Sequence, residues 1–310
     1  MGGATVNVAV IDIGTNSMRL LMMAQDGTEI HRQVAVTGLG VGVDATGRFD
    51  DGRMAETLAV LAEFGATIRS IGAGSVAAVA TSGTRDASNG PGFVSAVAQH
   101  IGVVPQIISG AREAALAFEG ATVGMKSASY LVVDIGGGST EFIRGTLSNG
   151  VSEPEIALSI DIGSVRLTDR CFGRRPVADA EMKNAEGMVA GLFRDVPKVD
   201  GAAVLGVAGT FTSIAAVALK LEAYDRDVVD GAVVELPIIE DLVARLQSMS
   251  IGETALIPSL HPRRAPVILA GSLIAAQALR SVHADRVTVR ESDLLDGLAR
   301  ELIAGIRSDD

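Results

Sequence analysis

Tryptophan is absent from this sequence, and only two tyrosines and eight phenylalanines occur in 310 residues. The core must therefore be aliphatic; with 48% of residues apolar, there is enough material for buried sheets and helices. A single cysteine, Cys171, excludes a disulfide framework and a multi-cysteine zinc site, and it suits a reducing cytoplasm as a small buried hydrophobe. His31, His100, His261 and His283 are scattered without metal-ligand spacing and read as core or surface residues. The longest apolar run, PVILAGSLIAAQAL, is broken by Gly, Ser and Gln and is too short for a bilayer. The N-terminal MGGATVNVAVIDIG has no basic segment, which argues against a signal peptide. A cytoplasmic protein without a membrane partner is expected. Positive charge is also scarce. With 26 Lys and Arg against 37 Asp and Glu, the net charge is −11, which argues against a nucleic-acid surface. An anionic ligand would have to be met locally, by backbone N–H groups, a few arginines and a metal.

The length favours two domains, and alternating strand-like and helix-like segments point to α/β layers. Strands are expected at VNVAVI, SMRLLMMAQ and TEIHRQVAV, followed by a glycine-rich polar loop, GVGVDATGRFDDG. A helix over 52–71 carries Met54, Leu58, Leu61, Phe64 and Ile68 on one face. SVAAVAT reads as a strand, SGTRDASNG as a polar loop, and Pro91 marks a helix start. Strand VVPQIIS and helix AREAALAFEGATVG follow. The second half restarts with YLVVDIGGGSTEFIRG and strand EIALSI. Helices are expected at 165–172 and 179–193. Strand AAVLGVAG, helices TFTSIAAVALKL, PIIEDLVARLQSM and APVILAGSLIAAQALRSV, strand RVTVR and a helix from Asp293 complete the chain.

Two stretches match. VAVIDIGTNSMRL and LVVDIGGGSTEF align Asp12 with Asp134, Gly14 with Gly136 and Ser17 with Ser139, each where an apolar strand meets a turn and a second strand. A duplicated unit opening each half suggests two similarly folded domains facing one another. In the second copy, glycines favour a hairpin, which brings Asp134 and Glu141 to the mouth of the turn. Both carboxylates could then share a hard cation such as Mg²⁺. The amides of Gly136, Gly137 and Gly138 would lie bare for a phosphate, with Ser139 and Thr140 adding hydroxyls. The blander alternative is a glycine hairpin with solvated acids.

Other segments fit the same chemistry. In GVAGTFTSIAA, Gly209 would admit a ligand, and Thr210 would either cap a helix or donate to an anion. Arg19 and Arg85 sit in polar loops in apolar surroundings; Arg offers a donor fork suited to phosphate, although the default for an isolated Arg is a surface salt bridge. Arg263 and Arg264 stand at a helix start, an awkward place for cations, which suggests an anionic partner. Glu113, at the third helical position with Gly110 as N-cap, suits the helix dipole; near a phosphate it could instead act as a general base. No nucleophile elbow or P-loop pattern is present.

In order, DIGTNSMRLL, ATSGTRDASN, IISGAREAALAF, VVDIGGGSTEF, LSIDIGSVRLT, GVAGTFT and RRAPVILAG resemble the exopolyphosphatase/guanosine pentaphosphate phosphatase family, over nearly the whole chain. The resemblance implies the actin-like ATPase superfamily, with two ribonuclease-H-like domains around a cleft, spanning 1–124 plus 293–310 and 125–292. Larger members carry further C-terminal domains, so the two-domain core alone is expected. It implies water-driven hydrolysis of a terminal phosphoanhydride with Mg²⁺. The catalytic glutamate falls on Glu113 and the metal-associated acids on Asp134 and Glu141, with Asp12 as the matching acid of the first hairpin. Phosphate-binding loops fall on Thr15, Asn16 and Ser17, on Gly136 to Ser139, and on Arg85; Arg19 and Arg264 face the anion. Four positions depart from the pattern: Arg112 replaces an acid, Ala115 an arginine, Gly38 an arginine and Pro266 an acid.

The expected activity is hydrolysis of inorganic polyphosphate by a homodimer. Alternatives are the same chemistry on guanosine pentaphosphate, a kinase or ATPase of the superfamily, and a non-catalytic phosphate or nucleotide sensor. A guanine-stacking aromatic would favour guanosine pentaphosphate, and the quoted loops offer only Phe142 and Phe211.

Overall fold

The computed structural model of the chain describes residues 7–309; the N-terminal MGGAT, Val6 of the first expected strand and Asp310 lie outside them. The elements are β1 (Val8–Ile13), β2 (Ser17–Met23), β3 (Glu29–Val36), α1 (Val43–Thr46), α2 (Asp51–Ile71), β4 (Ser75–Ala80), α3 (Ser82–Asp86), α4 (Gly90–Ile101), β5 (Gln106–Ile107) and α5 (Gly110–Ala121). After these come β6 (Ala128–Ile135), β7 (Thr140–Ser148), β8 (Val151–Ile160), α6 (Ser164–Cys171), α7 (Asp179–Leu192), β9 (Ala203–Val207), α8 (Ala208–Ala218), α9 (Arg226–Val229), β10 (Val233–Glu235) and α10 (Leu236–Gln247). The chain closes with α11 (Ile251–Ala255), a 3₁₀ turn at Pro262–Arg264, α12 (Ile268–Val282), β11 (Arg286–Val289) and α13 (Leu294–Asp309).

The two sheets repeat one plan. In the first, β1, β2 and β3 form an antiparallel meander, and β4 and then β5 add parallel to β1, giving the order β3-β2-β1-β4-β5. In the second, β6, β7 and β8 form the meander, β9 and β11 add parallel, and β10 closes the edge. This is the ribonuclease-H-like arrangement, twice. β1 is buried along its whole length, because a central strand covered on both faces tolerates no polar alternation.

α2 starts where the Asp50 side chain accepts from Arg53 N, and Leu61, Phe64 and Ile68 bury its inner face. α12 is buried throughout from Ile268 to Leu279, with Arg280 exposed in its last turn, so this apolar helix belongs to the core of the second layer. α5 lies between the sheets. Leu116 and Ala117 pack with β1, β4 and α13, whereas Ala114, Phe118 and Ala121 pack with Tyr130, Val132, Ile143 and Leu205. α5 and α13 meet backbone to backbone. A Cβ on Gly120 would sit 1.7 Å from Asp293 O, and one on Gly297 2.2 Å from Leu116 O.

Some expectations fail locally. SGTRDASNG, read as a loop, holds α3, whose first residues Ser82, Gly83 and Thr84 are buried. The polar loop after β3 contains α1, and only two residues of VVPQIIS pair as β5. Gly110 is not the N-cap of α5; Ser109 is, accepting from Arg112 N, so Glu113 moves to the fourth helical position. The two arginines precede α12 by several residues, so the awkward placement at a helix start disappears. Among the described residues no helix is long and apolar enough to cross a membrane.

Candidate active site

The two hairpins have the same register. Asp12 lies opposite Arg19 as Asp134 lies opposite Glu141, and each turn closes on one bond, Gly14 N to Ser17 O at 3.1 Å and Gly136 N to Ser139 O at 3.0 Å. The turns touch across the cleft. A Cβ on Gly137 would lie 3.0 Å from Thr15 Cβ and 3.1 Å from Asn16 N, and one on Gly138 2.5 Å from Ser82 Oγ. The bare backbone of Gly137 and Gly138 is thus needed by the opposing hairpin and by Ser82 of α3, a requirement that sequence spacing did not show.

Between the hairpins lies a pocket of about 90 Å³. Asp12, Thr15, Asn16, Ser17, Arg19, Glu113, Asp134, Gly136, Gly137, Ser139, Gly209, Thr210 and Arg264 all line it. Of the expected site residues, Arg85, Gly138 and Glu141 stand behind the wall. Arg85 Nη1 donates to Ile108 O at 2.7 Å and to Glu113 Oε2 at 3.2 Å, so it holds the glutamate. Glu141 is buried and accepts from Ser159 Oγ at 2.7 Å; β8 places that hydroxyl directly opposite it. Asp134 lies opposite Glu141 in the hairpin, as expected, but Asp134 and Asp12 line the pocket whereas Glu141 does not. Gly138 presses on Ser82 and Thr15.

Several wall groups have protein partners. Thr15 Oγ1 bonds Ser82 Oγ and accepts from Gly83 N, both at 3.0 Å, and Thr210 Oγ1 donates to Ile135 O at 2.9 Å. Gly209 makes room for a guanidinium: Arg264 donates to Gly209 O and Ser213 Oγ. Among the described residues Arg264 forms no ion pair. Its neighbour Arg263 pairs with Glu56 and donates to Val36 O at 2.9 Å. Arg19 is clamped between Asp12, at 2.7 Å, and Asp293. Sequence reading assigned no role to Asp293 beyond a helix start, because its partner is 274 residues away.

Carboxylates outnumber cations here. Burial pushes Glu113 up to about 7, opposed by Arg85 and reinforced by Asp12. Burial also pushes Asp134 up to about 8, reinforced by Asp293, Glu113 and Asp12 and opposed by Arg19. Glu141 is raised by burial and by Glu113 and Asp134. Asp12 Oδ1 is buried and has no hydrogen-bond partner among the described residues. Among the described residues no three Asp, Glu, His or Cys side chains gather closely enough to hold a metal alone.

A second cavity of about 950 Å³ shares Arg19, Ala208, Gly209 and Arg264 with the first. Its walls mix Ile30, Val34, Pro258 and Leu260 with Tyr224 and His31. Most of its charges are paired, Arg226 with Glu29 and Arg32 with Glu29 and Asp296.

The sequence pattern of the Ppx/GppA phosphatase family runs through residues 5–303. The chain belongs to that family. Exopolyphosphatase 2 of Mycobacterium tuberculosis is 35% identical over 96% of this chain and 99% of its own. Exopolyphosphatase 1 of Mycobacterium leprae is 29% identical over 94% and 88%. Among solved structures, an exopolyphosphatase-like protein superposes with a TM-score of 0.91 at 32% identity, covering 98% of this chain and all of its own. The Ppx/GppA family member of Aquifex aeolicus gives 0.79 at 29% identity, covering 99% of both. The fold is therefore that of two ribonuclease-H-like, actin-like ATPase units around a cleft.

Proposed function

We propose that this Ppx/GppA protein is an exopolyphosphatase that hydrolyses the terminal phosphoanhydride of inorganic polyphosphate, short chains in particular, with Mg²⁺. The observation that carries the reading is the convergence of both hairpins and Glu113 on one pocket of about 90 Å³. The named relatives support the substrate class.

Glu113 would orient the attacking water and take its proton as the oxygen bonds to the terminal phosphorus. The bridging P–O bond breaks, and its electron pair leaves with the shortened chain. Arg85 fixes the glutamate from behind. Arg264, without a carboxylate partner, Ser139 and the glycine-loop amides would face the anion, since phosphoryl transfer asks mainly for positioning and charge neutralisation. Asp12 and Asp134 fit a hard cation: Oδ1 of Asp12 is an orphaned buried oxygen, and Asp134 lies in a surplus of negative charge. Two protein carboxylates suffice because Mg²⁺ usually keeps waters and takes substrate oxygens. When bound it would neutralise charge on the phosphates and draw protons off the raised carboxyls.

The larger cavity favours a second reading. A polyanion would find few unpaired cations there, whereas Tyr224 and the apolar wall suit a ring. Guanosine pentaphosphate is therefore the alternative substrate, and Tyr224 supplies the aromatic that the quoted loops lacked.

Phosphate release measured side by side from tripolyphosphate, long polyphosphate, guanosine pentaphosphate and ATP, with and without Mg²⁺, tests the proposal. Fastest release from tripolyphosphate supports it. Fastest release from guanosine pentaphosphate supports the alternative, and binding without release from any of the four defeats both.

A further inference from the structure

The start of α6 takes up every carbonyl of the glycine loop. Ser164 N donates to Gly136 O at 3.0 Å, and Val165 N and Arg166 N donate to Gly137 O at 2.9 and 3.1 Å. Arg166 Nε donates to Gly138 O at 2.9 Å. Gly163 is pressed so close that a Cβ there would lie 2.5 Å from Gly137 C. A peptide whose carbonyl is held on one side turns its N–H toward the other, so α6 fixes how the loop presents its amides.

The same guanidinium reaches across the cleft. Arg166 Nη1 lies 3.2 Å from Asp44 of α1, and Nη2 pairs with Asp86 of α3. Arg170, one turn further on, joins Asp44 at 2.7 Å through two nitrogens, and Asp169 accepts from Gly42 N at 2.7 Å. The Arg166 side chain is 14% exposed, while its partners Asp44 and Asp86 are 21% and 38% exposed, so these ion pairs are partly buried at the arginine end and open to water at the acid end. Asp86 follows Arg85, the residue bonded to Glu113. One short helix therefore carries both the support of the glutamate and the anchor of the arginine that holds the loop.

We propose that Arg166 is a positioning residue that joins the phosphate-binding glycine loop to Asp44 and Asp86, so that the loop is set for an anion when the cleft is shut. This rests on the phosphate reading of the loop. Loss of the two acids would lower the population of the shut state. Apparent affinity falls by that fraction, while saturating substrate restores the shut state. KM should therefore rise while kcat is kept, a separation that general destabilisation would not produce.

The test compares phosphate release from tripolyphosphate by wild type, the double variant Asp44→Asn/Asp86→Asn, Arg166→Ala and Arg166→Lys, with melting curves and calorimetric binding of tripolyphosphate. The double variant should show KM raised about three- to tenfold with kcat within about twofold, the scale of a few partly buried ion pairs. Arg166→Ala should raise KM and also lower kcat, because Gly138 loses its donor. Arg166→Lys should recover part of the KM but not the kcat, since the ammonium lacks the fork that serves both partners. An unchanged KM in the double variant, or a fall in kcat at unchanged KM, would overturn the proposal. Should the double variant fail to fold, Asp86→Asn alone carries the same expectation at smaller size. If wild type releases no phosphate, the catalytic reading fails, and the isotherms alone decide Arg166: weaker binding by the double variant supports its role and equal binding overturns it.

Discussion

Asp134 and Glu113 hold their protons well above the ordinary carboxylate range because burial and mutual repulsion outweigh the nearby arginines. The consequence for stability has a definite sign. An unfolded carboxyl releases its proton near pH 4, whereas these keep theirs to about 7 and about 8, so the folded state binds more protons in between. Stability of the metal-free protein contributed by these groups therefore falls as pH rises from about 4 to 8. Asp134→Asn removes one of the repelling charges and should raise the melting temperature at pH 8 by about 2–4 °C per kcal/mol gained, while abolishing turnover. A lower melting temperature at pH 8 would show that the carboxylate is satisfied in some other way. Arg85 acts in the opposite direction, holding Glu113 down. Arg85→Met should shift the acid limb of the pH–rate profile to higher pH and lower kcat; an unmoved limb would separate Arg85 from the glutamate. The family resemblance placed Arg85 against the phosphate; on its own a lone arginine in a polar loop reads as a surface salt bridge. Glu113 is 28 residues away, and only the fold brings it within 3.2 Å of Arg85 Nη1.

At the scale of elements, the paired hairpins were legible because strand period and turn residues recur in both copies with the same acid at the strand end. The helix α3 was not, since SGTRDASNG carries turn-forming residues and no apolar period. Its stability comes from the Thr15 hydroxyl accepting from Gly83 N and from burial of its first turn. Asp293 was hidden for a related reason: its position beside Arg19 depends on how α13 crosses α5. That crossing gives a sharp prediction. A methyl on Gly120 would meet the Asp293 carbonyl, so Gly120→Ala should cost about 1–3 kcal/mol as overpacking does. It should also lower activity, by displacing the carboxylate that clamps Arg19. Wild-type melting behaviour would show that the helices can part without loss.

The whole molecule sets two similar sheets on either side of α5 and leaves the pocket where their opening hairpins meet. This architecture was readable from the internal match and from the family blocks; the larger neighbouring cavity was not, because its walls come from β3, α8 and the 3₁₀ turn, which lie far apart in the chain. A ligand bound across both halves should stabilise them together. Tripolyphosphate with Mg²⁺ at a hundredfold excess over its dissociation constant should add about 2.7 kcal/mol and raise the melting temperature as one transition. Two separated transitions would mean that the halves bind independently.

The central claim is that Glu113 activates water against a phosphoryl group held between the hairpins, and single-turnover phosphate release from tripolyphosphate by Glu113→Gln tests it most directly. With binding kept within a few-fold of wild type, release should fall by about 10²–10⁴, the usual contribution of a positioned base. Release at the wild-type rate would contradict the account.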